Sequence, residues 1–233
     1  MGQGAAAIRE HYLRQLTELD QAVQHMGDAV LETMRSSLDT LDRMDVARAK
    51  ELVENDNVID RMRHSIEERA FTLIATQQPA ASDLRLVMAA STVATELERI
   101  GDYCSGIAKI VLIMAAEPEG GSTAGIHRMA AITDNLLTRA LEAFKARDID
   151  VAAAVWMNDD EVDDLYHDVF QEQIEEMAAH KSTVRRGTYM LWVAHNVERM
   201  ADRVTNIAES VAFVVTGDVA AFRDRLEMES VPG

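Results

Sequence analysis

The second half of this 233-residue chain repeats the first, and the repeat constrains its possible folds more than any other feature. At a spacing of 103 positions, five polar residues recur with their types unchanged: Asp45, Asn55, Asp56, Asp60 and His64 become Asp148, Asn158, Asp159, Asp163 and His167. At a spacing of 100 positions, a mixed charged and apolar set between Arg85 and Ala108 recurs between Arg185 and Ala208. Each half is therefore expected to form the same supersecondary unit.

Apolar residues within each half follow helical spacing. In the first segment, steps of three and four positions place them on one face: Leu16, Leu19, Val23, Met26, Val30, Met34, Leu38 and Leu41. The pattern predicts helices over about 8–41, 46–76 and 83–114, then over about 126–147, 150–179 and 183–216, and a short tail helix over 218–228. Asp45 is predicted to cap the second helix, and Gly217 to end the sixth.

Short connectors make successive helices antiparallel neighbours. The predicted fold class is therefore all-α: a tandem duplication of a three-helix bundle, with six long antiparallel helices and a short C-terminal tail helix. The segment EPEGGSTAG at 117–125 contains one proline and three glycines, which is typical of a linker. We predict a first bundle over residues 1–115, a linker over 116–125 and a second bundle over 126–233.

Composition excludes several classes of partner. The formal charge of −17 argues against nucleic-acid binding, which needs basic patches, and against docking on an anionic membrane surface. A single cysteine, Cys104, allows no disulfide within the chain and favours a reducing compartment. Charged residues begin too early for a signal peptide, and no uncharged apolar run is long enough to predict a membrane span.

Four pairs of acidic residues, each with a spacing of four positions, lie on the second and third predicted helices of the two halves. The pairs are Asp56 with Asp60, Glu98 with Asp102, Asp159 with Asp163, and Glu198 with Asp202. Residues four apart lie one turn apart on one helix face, so two carboxylates repel unless a cation or a proton lies between them. The spacing alone is weak evidence, because 40 acids in 233 positions produce several such pairs by chance.

The positions of the pairs along the hairpins carry more information. Asp60 and Glu98 both lie 19 residues from Pro79, and Asp56 and Asp102 both lie 23 residues from it. Because both helices rise equally per residue, this symmetry places the two pairs level with each other. The second copy has the same symmetry, so the sequence predicts a patch of four carboxylates in each bundle.

Ligand sets made only of oxygen favour hard cations. We predict that each patch binds metal ions, with Mg²⁺, Mn²⁺ or iron preferred, Zn²⁺ as an alternative, and multinuclear clusters within the capacity of four carboxylates. His64, His167 and Asn206 lie near the pairs in sequence and are candidate additional ligands. For the histidines, the alternative is an ordinary surface role. No catalytic residue is predicted, since the chain has no GxxxxGK, GxSxG, HExxH or Glu-x-x-His motif.

Two segments resemble the signature of a known family. The run QPAASDLRLVMAASTVATELERIGDYCSGIAKI and its echo HNVERMADRVTNIAES are similar to the two copies of the PhoU signature. The resemblance implies that Glu98, Asp102, Glu198 and Asp202 belong to the family's metal-cluster motif, with Asp56, Asp60, Asp159 and Asp163 as partners on the preceding helices. Gly106 departs from the pattern, where the second copy has Asn206.

The resemblance to the PhoU family also implies a function. Such proteins are cytoplasmic regulators rather than enzymes. They connect a phosphate transporter, through its ATP-binding subunit, to a sensor histidine kinase and repress the phosphate-starvation response when phosphate is abundant. They commonly form homodimers. Two alternatives stay open: a carboxylate-bridged metalloenzyme of the helical-bundle type, and a metal-free helical scaffold.

Overall fold

The structure, a computed structural model, describes residues 2–117 and 122–230, and every regular element within these ranges is helical. The first half contains α1 (Gly2–Arg43), α2 (Val46–Gln77) and α3 (Ser82–Met114). The second half contains α4 (Ala124–Ala146), α5 (Ile149–Trp156), α6 (Asp160–Ala179), a 3-10 turn (Lys181–Thr183), α7 (Val184–Thr216) and α8 (Val219–Ser230). The predicted all-α duplication is confirmed. The predicted linker stays a prediction, since residues 118–121 lie outside the described ranges.

Local chemistry sets several helix ends. The Asp45 carboxylate accepts hydrogen bonds from the backbone N–H groups of Ala47 and Arg48 at the start of α2, and Asp148 caps α5 in the same way. Such bonds satisfy amides that have no partner within the helix. Gly217 ends α7 with a φ of 80°, a left-handed conformation that glycine adopts without a steric penalty. The predicted cap at Asp45 and the predicted end at Gly217 are confirmed.

The prediction of one continuous helix over 150–179 is wrong. A break at 157–159 divides the segment into α5 and α6. Buried apolar residues continue across the break, with Val155 before it and Val162 after it, so apolar periodicity could not reveal it. The first turn of α6 is acidic, and a helix N-terminus stabilises negative charge. The break therefore gives the second copy a helix N-terminus beside its acidic pair, where the first copy has the uninterrupted α2.

The two bundles share one core. α3 packs against α7 along the centre of the molecule, α1 packs against α4, and one contiguous cluster of buried apolar residues runs through both halves. Sixteen of the 33 residues of α3 are buried, against five of the 32 in α2, which identifies α3 as a central helix. Burial on this scale is the main favourable contribution to folding, at about 25 cal/mol for each Å² of apolar surface removed from water.

The tail helix α8 turns back on the second bundle. Its Phe222 and Leu226 are buried against Ala153 of α5 and Ala212 of α7, and Arg223 is ion-paired with Glu209. Among the described residues, no single helix is long and apolar enough to cross a membrane. Only the pair Lys181–Thr216 and Val219–Met228, bent by 117°, meets that criterion of length and composition.

Candidate metal centre

The first acidic patch, called patch A, comprises Asp56 and Asp60 of α2 with Glu98 and Asp102 of α3. The structure brings these four carboxylates close enough to influence one another. Burial raises the pKa of Asp102, and the charges of Asp56 and Asp60 across the α2–α3 interface raise it further. Burial and the charge of Asp102 likewise raise the pKa of Glu98. The pairs that the sequence predicts to be level are therefore neighbours in space.

A glycine allows α2 and α3 to approach closely at patch A. A Cβ atom on Gly101 would lie 3.2 Å from Ile59 Cγ2, which is tight for a carbon–carbon contact. The equivalent positions of the second copy hold Ala201 and Val162, both buried. The first copy thus pairs glycine with isoleucine, and the second pairs alanine with valine. The second copy has one more methyl group on the third helix of its bundle and one fewer on the second, so the total side-chain volume at this contact is the same.

Cationic side chains partly neutralise patch A. Arg63 Nε lies 3.6 Å from Glu98 Oε1, and Arg63 Nη1 lies 2.7 Å from Glu67 Oε1. Burial raises the pKa of Asp56, and the positive charge of Lys109 opposes that effect. His64 is engaged elsewhere, since its Nδ1 lies 2.8 Å from the Asp60 carbonyl oxygen and its Nε2 lies 3.3 Å from Arg63 Nη2. In this conformation His64 contacts the backbone of α2 rather than the carboxylates.

The second acidic patch, called patch B, comprises Asp159 at the α5–α6 break and Asp163 of α6 with Glu198 and Asp202 of α7. Burial raises the pKa of Asp159 to about 7, and the charges of Asp163 and Asp202 contribute to the shift. Burial and Asp202 also raise the pKa of both Asp163 and Glu198. Glu198 Oε2 is buried and accepts no hydrogen bond, although His195 Nδ1 lies 3.3 Å away.

Different cations compensate patch B. Arg199 Nη1 lies 2.8 Å from Asp202 Oδ2, and Arg203 Nη2 lies 3.6 Å from the same oxygen. The positive charge of His167 opposes the rise in the pKa of Asp163, but His167 itself is exposed. At the positions equivalent to Arg63 and Lys109 of patch A, the second copy has Tyr166 and Glu209. The two patches therefore have carboxylates at equivalent positions but different counter-ions.

The side chain of Asn206, a candidate additional ligand, is hydrogen-bonded outside patch B. Its Nδ2 donates a hydrogen bond to Glu96 Oε2 at 3.0 Å, and Arg203 Nη1 donates to the same oxygen at 3.3 Å. Glu96 is buried between α3 and α7, so this network joins the two bundles. A Cβ atom on Gly106, the counterpart of Asn206, would lie 3.3 Å from Asn196 Nδ2. The difference between Gly106 and Asn206 thus belongs to the packing of α3 on α7.

Both patches have the donor chemistry of a hard-cation site, since each gathers four carboxylates and three of the four have a raised pKa. Among the described residues, however, no three histidine, cysteine, aspartate or glutamate side chains already form a group able to hold a metal ion. Several of the carboxylates are instead paired with arginine or histidine. A multivalent cation would compete with those partners, so metal binding stays a prediction.

The chain's single thiol offers no alternative reactive centre. Cys104 is fully buried in α3, and burial raises the pKa of its thiol to about 12. A thiol with so high a pKa is protonated at neutral pH and is a poor nucleophile or metal ligand. Cys104 is therefore a packing residue.

Comparison with known proteins identifies the family. The model of the PhoU domain matches the chain twice, over residues 23–111 and 126–211. The chain belongs to the PhoU family. The predicted resemblance is confirmed, and the two matched segments contain all eight carboxylates of patches A and B.

Relatives of similar length match almost the whole chain. A phosphate-specific transport system accessory protein PhoU homolog from Caulobacter vibrioides is 35% identical over 221 residues, which cover 94% of this chain and 96% of the relative. A relative with the same description from Clostridium acetobutylicum is 32% identical over 93% of this chain and 99% of its own.

Solved structures of the family have the same fold. The crystal structure of the phosphate transport system regulatory protein PhoU from Streptococcus pneumoniae matches 90% of this chain and 99% of its own, with a TM-score of 0.84 and 30% identity. The crystal structure of PhoU from Pseudomonas aeruginosa matches 89% of this chain and 100% of its own, with a TM-score of 0.83 and 29% identity.

Sequence reasoning missed the network between the PhoU repeats. Glu96 follows the helical spacing of the apolar residues Val93 and Ile100, so it lies on the buried side of α3. An acid on an apolar face needs a buried partner, and that was the available signal. The partner, Arg203, lies 107 positions away in the sequence, so its identity could not be deduced from local pattern.

Proposed function

We propose that this PhoU-family protein is an accessory protein of a phosphate transport system that represses the phosphate-starvation two-component response when phosphate is abundant. The observation that carries the proposal is the family match, which covers both bundles and all eight patch carboxylates. We further propose that it acts in the cytoplasm as a homodimer. Its proposed partners are the ATP-binding subunit of the transporter and a sensor histidine kinase.

The proposed metal sites are the two acidic patches. Asp56, Asp60, Glu98 and Asp102 would hold one site, and Asp159, Asp163, Glu198 and Asp202 the other. A bound hard cation would neutralise the carboxylates and tie the two helices of each hairpin together. The raised pKa values of Asp102, Asp159 and Glu198 support the proposal, because burial and the neighbouring carboxylates disfavour their ionised forms and a bound cation would offset both effects.

We propose a regulatory role rather than catalysis. The carboxylates of patches A and B would all serve as metal ligands. None of them would then be available as a separate general base beside the metal. The metalloenzyme alternative has a direct test. Hydrolase or oxidase turnover above background in purified protein, lost on substitution of Glu198, would favour the enzyme.

Elemental analysis tests metal binding. We expect metal in the purified protein, about half of it in Glu98→Ala/Asp102→Ala, and little in a variant that also carries Glu198→Ala/Asp202→Ala, because the two patches lie in separate bundles. The matched control is Asp164→Ala/Asp168→Ala, which removes two exposed acids at the same spacing from α6. Equal metal content in all variants would show that the patches are ordinary acidic surface.

A strain lacking the gene tests the regulatory role. We expect a phosphate-starvation reporter to be active in that strain at high phosphate, and to be silenced by the wild-type protein. The patch A and patch B variants test whether regulation depends on the metal. If a variant loses metal yet still silences the reporter, the metal has a structural function. A reporter that ignores the gene altogether would contradict the proposed regulation.

A further inference from the structure

An aromatic strip lies at the surface of the second bundle, with three exposed and two partly buried side chains. We define the strip as Tyr166, Phe170 and Ile174 of α6 with Tyr189 and Trp192 of α7. The α6 members are spaced by four, so they share one helix face over about 12 Å. The Tyr166 and Phe170 rings lie 6.4 Å apart, and those of Tyr189 and Trp192 lie 5.6 Å apart. Tyr166 also lies 6.1 Å from the ring of His195, which connects the α6 and α7 sides.

The first bundle has no such strip at the equivalent positions. The counterparts of Tyr166, Phe170 and Ile174 are Arg63, Glu67 and Phe71, and Arg63 and Glu67 form an ion pair of 2.7 Å. The counterparts of Tyr189 and Trp192 are Ala89 and Thr92. Since the same hairpin folds with an ion pair there, the fold itself does not require aromatic residues at these positions.

The strip is also costly to expose. Trp192 is 54% exposed, Ile174 42% and Phe170 37%, in a chain with only 5% aromatic residues. Clustered apolar residues at a protein surface mark interaction sites more often than isolated ones do. The repeat comparison and the clustering therefore both indicate a surface that another molecule covers.

The charge around the strip selects the kind of molecule. α6 carries eight aspartates and glutamates and no lysine or arginine among its 20 residues. At the α7 side, Arg185 is paired with Glu117 and Arg199 with Asp202, so these cations are engaged within the chain. The surface is therefore an apolar strip beside the strongly acidic helix α6.

We propose that the aromatic strip docks a basic amphipathic helix of a protein partner. Two turns of exposed apolar side chains match the anchors that such a helix presents at i, i+4 and i+7, and lysine or arginine beside them would meet the acids of α6. A second copy of this chain is a poor occupant, because two acidic α6 helices would face each other. An anionic membrane is repelled for the same reason. The inference assigns a surface that the proposed phosphate function does not specify, and it stands without metal in either patch.

A model peptide tests the proposal on the full-length protein. The probe is a fluorescein-labelled amphipathic helix of leucine and lysine, about five turns long, and its counterpart replaces every lysine with glutamate. We expect saturable binding of the lysine peptide by fluorescence anisotropy, and none of the glutamate peptide. In Trp156→Phe, where Trp192 is the sole tryptophan, binding should shift the emission of Trp192 to the blue.

Matched variants locate the binding surface. Phe170→Gln/Ile174→Gln should weaken binding at least tenfold, and Asp164→Asn/Glu175→Gln should weaken it less and reduce its salt dependence. Phe71→Gln, which removes a 73%-exposed aromatic from the equivalent place on α2, should bind as the wild type does. Full binding by Phe170→Gln/Ile174→Gln, equal loss in Phe71→Gln, or binding of the glutamate peptide would overturn the proposal. So would loss of self-association, or of binding to anionic vesicles, in Phe170→Gln/Ile174→Gln, because either would assign the strip to another occupant.

Discussion

Asp159→Asn should stabilise the metal-free protein at alkaline pH. Asp159 lies at the α5–α6 break, where burial and the charges of Asp163 and Asp202 raise its pKa from 3.8 to about 7. The folded state therefore holds a proton on Asp159 between about pH 4 and 7 that the unfolded state has released. The linkage relation then requires stability to increase as the pH falls from 8 towards 5, because ionisation penalises only the folded state.

The size of the effect follows from the difference between the two pKa values. Three pH units correspond to about 4 kcal/mol if the group were fully shielded from solvent. Asp159 keeps part of its surface exposed, so screening reduces the effect to about 1–2 kcal/mol. In a protein of this size, that stabilisation raises the melting temperature of Asp159→Asn at pH 8 by roughly 3–6 °C. The advantage should shrink as the pH falls through 7 and vanish only below about pH 4, where the carboxyl is protonated in the unfolded state as well.

Thermal unfolding in the presence of a chelator measures this difference between pH 5 and pH 8. The control is Asp164→Asn, which removes the same charge from an exposed position on α6. Adding a saturating divalent cation should reverse the order, because only wild-type patch B keeps all four carboxylates. If Asp159→Asn gained no more than Asp164→Asn at pH 8, or if its advantage increased on acidification, the carboxylates would not be clustered as described.

Three further substitutions test the interface, the packing and a helix cap. Glu96→Ala should lower the free energy of unfolding by about 2 kcal/mol in urea, because it leaves the mostly buried Arg203 with only the more distant carboxylate of Asp202. Glu96→Ala/Arg203→Met should recover part of the loss, and no recovery would contradict the pair. Gly101→Ala and Ile59→Val should couple favourably by about 0.5–1 kcal/mol in a double-mutant cycle, since together they reproduce the pairing of the second copy; additive effects would refute the close approach. Asp148→Ala should cost about 1 kcal/mol by removing the α5 cap, whereas Asp148→Asn keeps an acceptor and should cost less, so equal losses would exclude capping.

Local pattern was sufficient wherever a feature depends on neighbours in sequence. The helix caps at Asp45 and the end at Gly217 depend on bonds within one turn, and both were predictable from residue type. The level placement of Asp60 with Glu98 needed only a count along a hairpin of known turn position. The break at 157–159 was not predictable in this way, because the apolar spacing continues through it and Val155 and Val162 are both buried.

Partners distant in sequence could not be predicted. Asn206 was a candidate ligand because it follows Asp202 by one turn, yet the structure pairs its amide with Glu96 on the other bundle. The counter-ion of Glu98 is also distant in sequence, since Arg63 Nε lies 3.6 Å from Glu98 Oε1 across the α2–α3 interface. The neighbouring helix that a side chain contacts depends on how its own helix is rotated about its axis. Helix packing sets that rotation.

By itself, the sequence determined that this protein is a duplicated helical bundle of the PhoU family with four carboxylates gathered in each half. Periodicity, caps and repeat spacing are properties of the sequence, so they can be recognised without the tertiary structure. Only the tertiary structure decided that the bundles share a core through α3 and α7, that Glu96 and Arg203 lock that interface, and that the two patches have different counter-ions. The contacts between the bundles join residues about 100 positions apart, and their free energy exists only once the helices have packed.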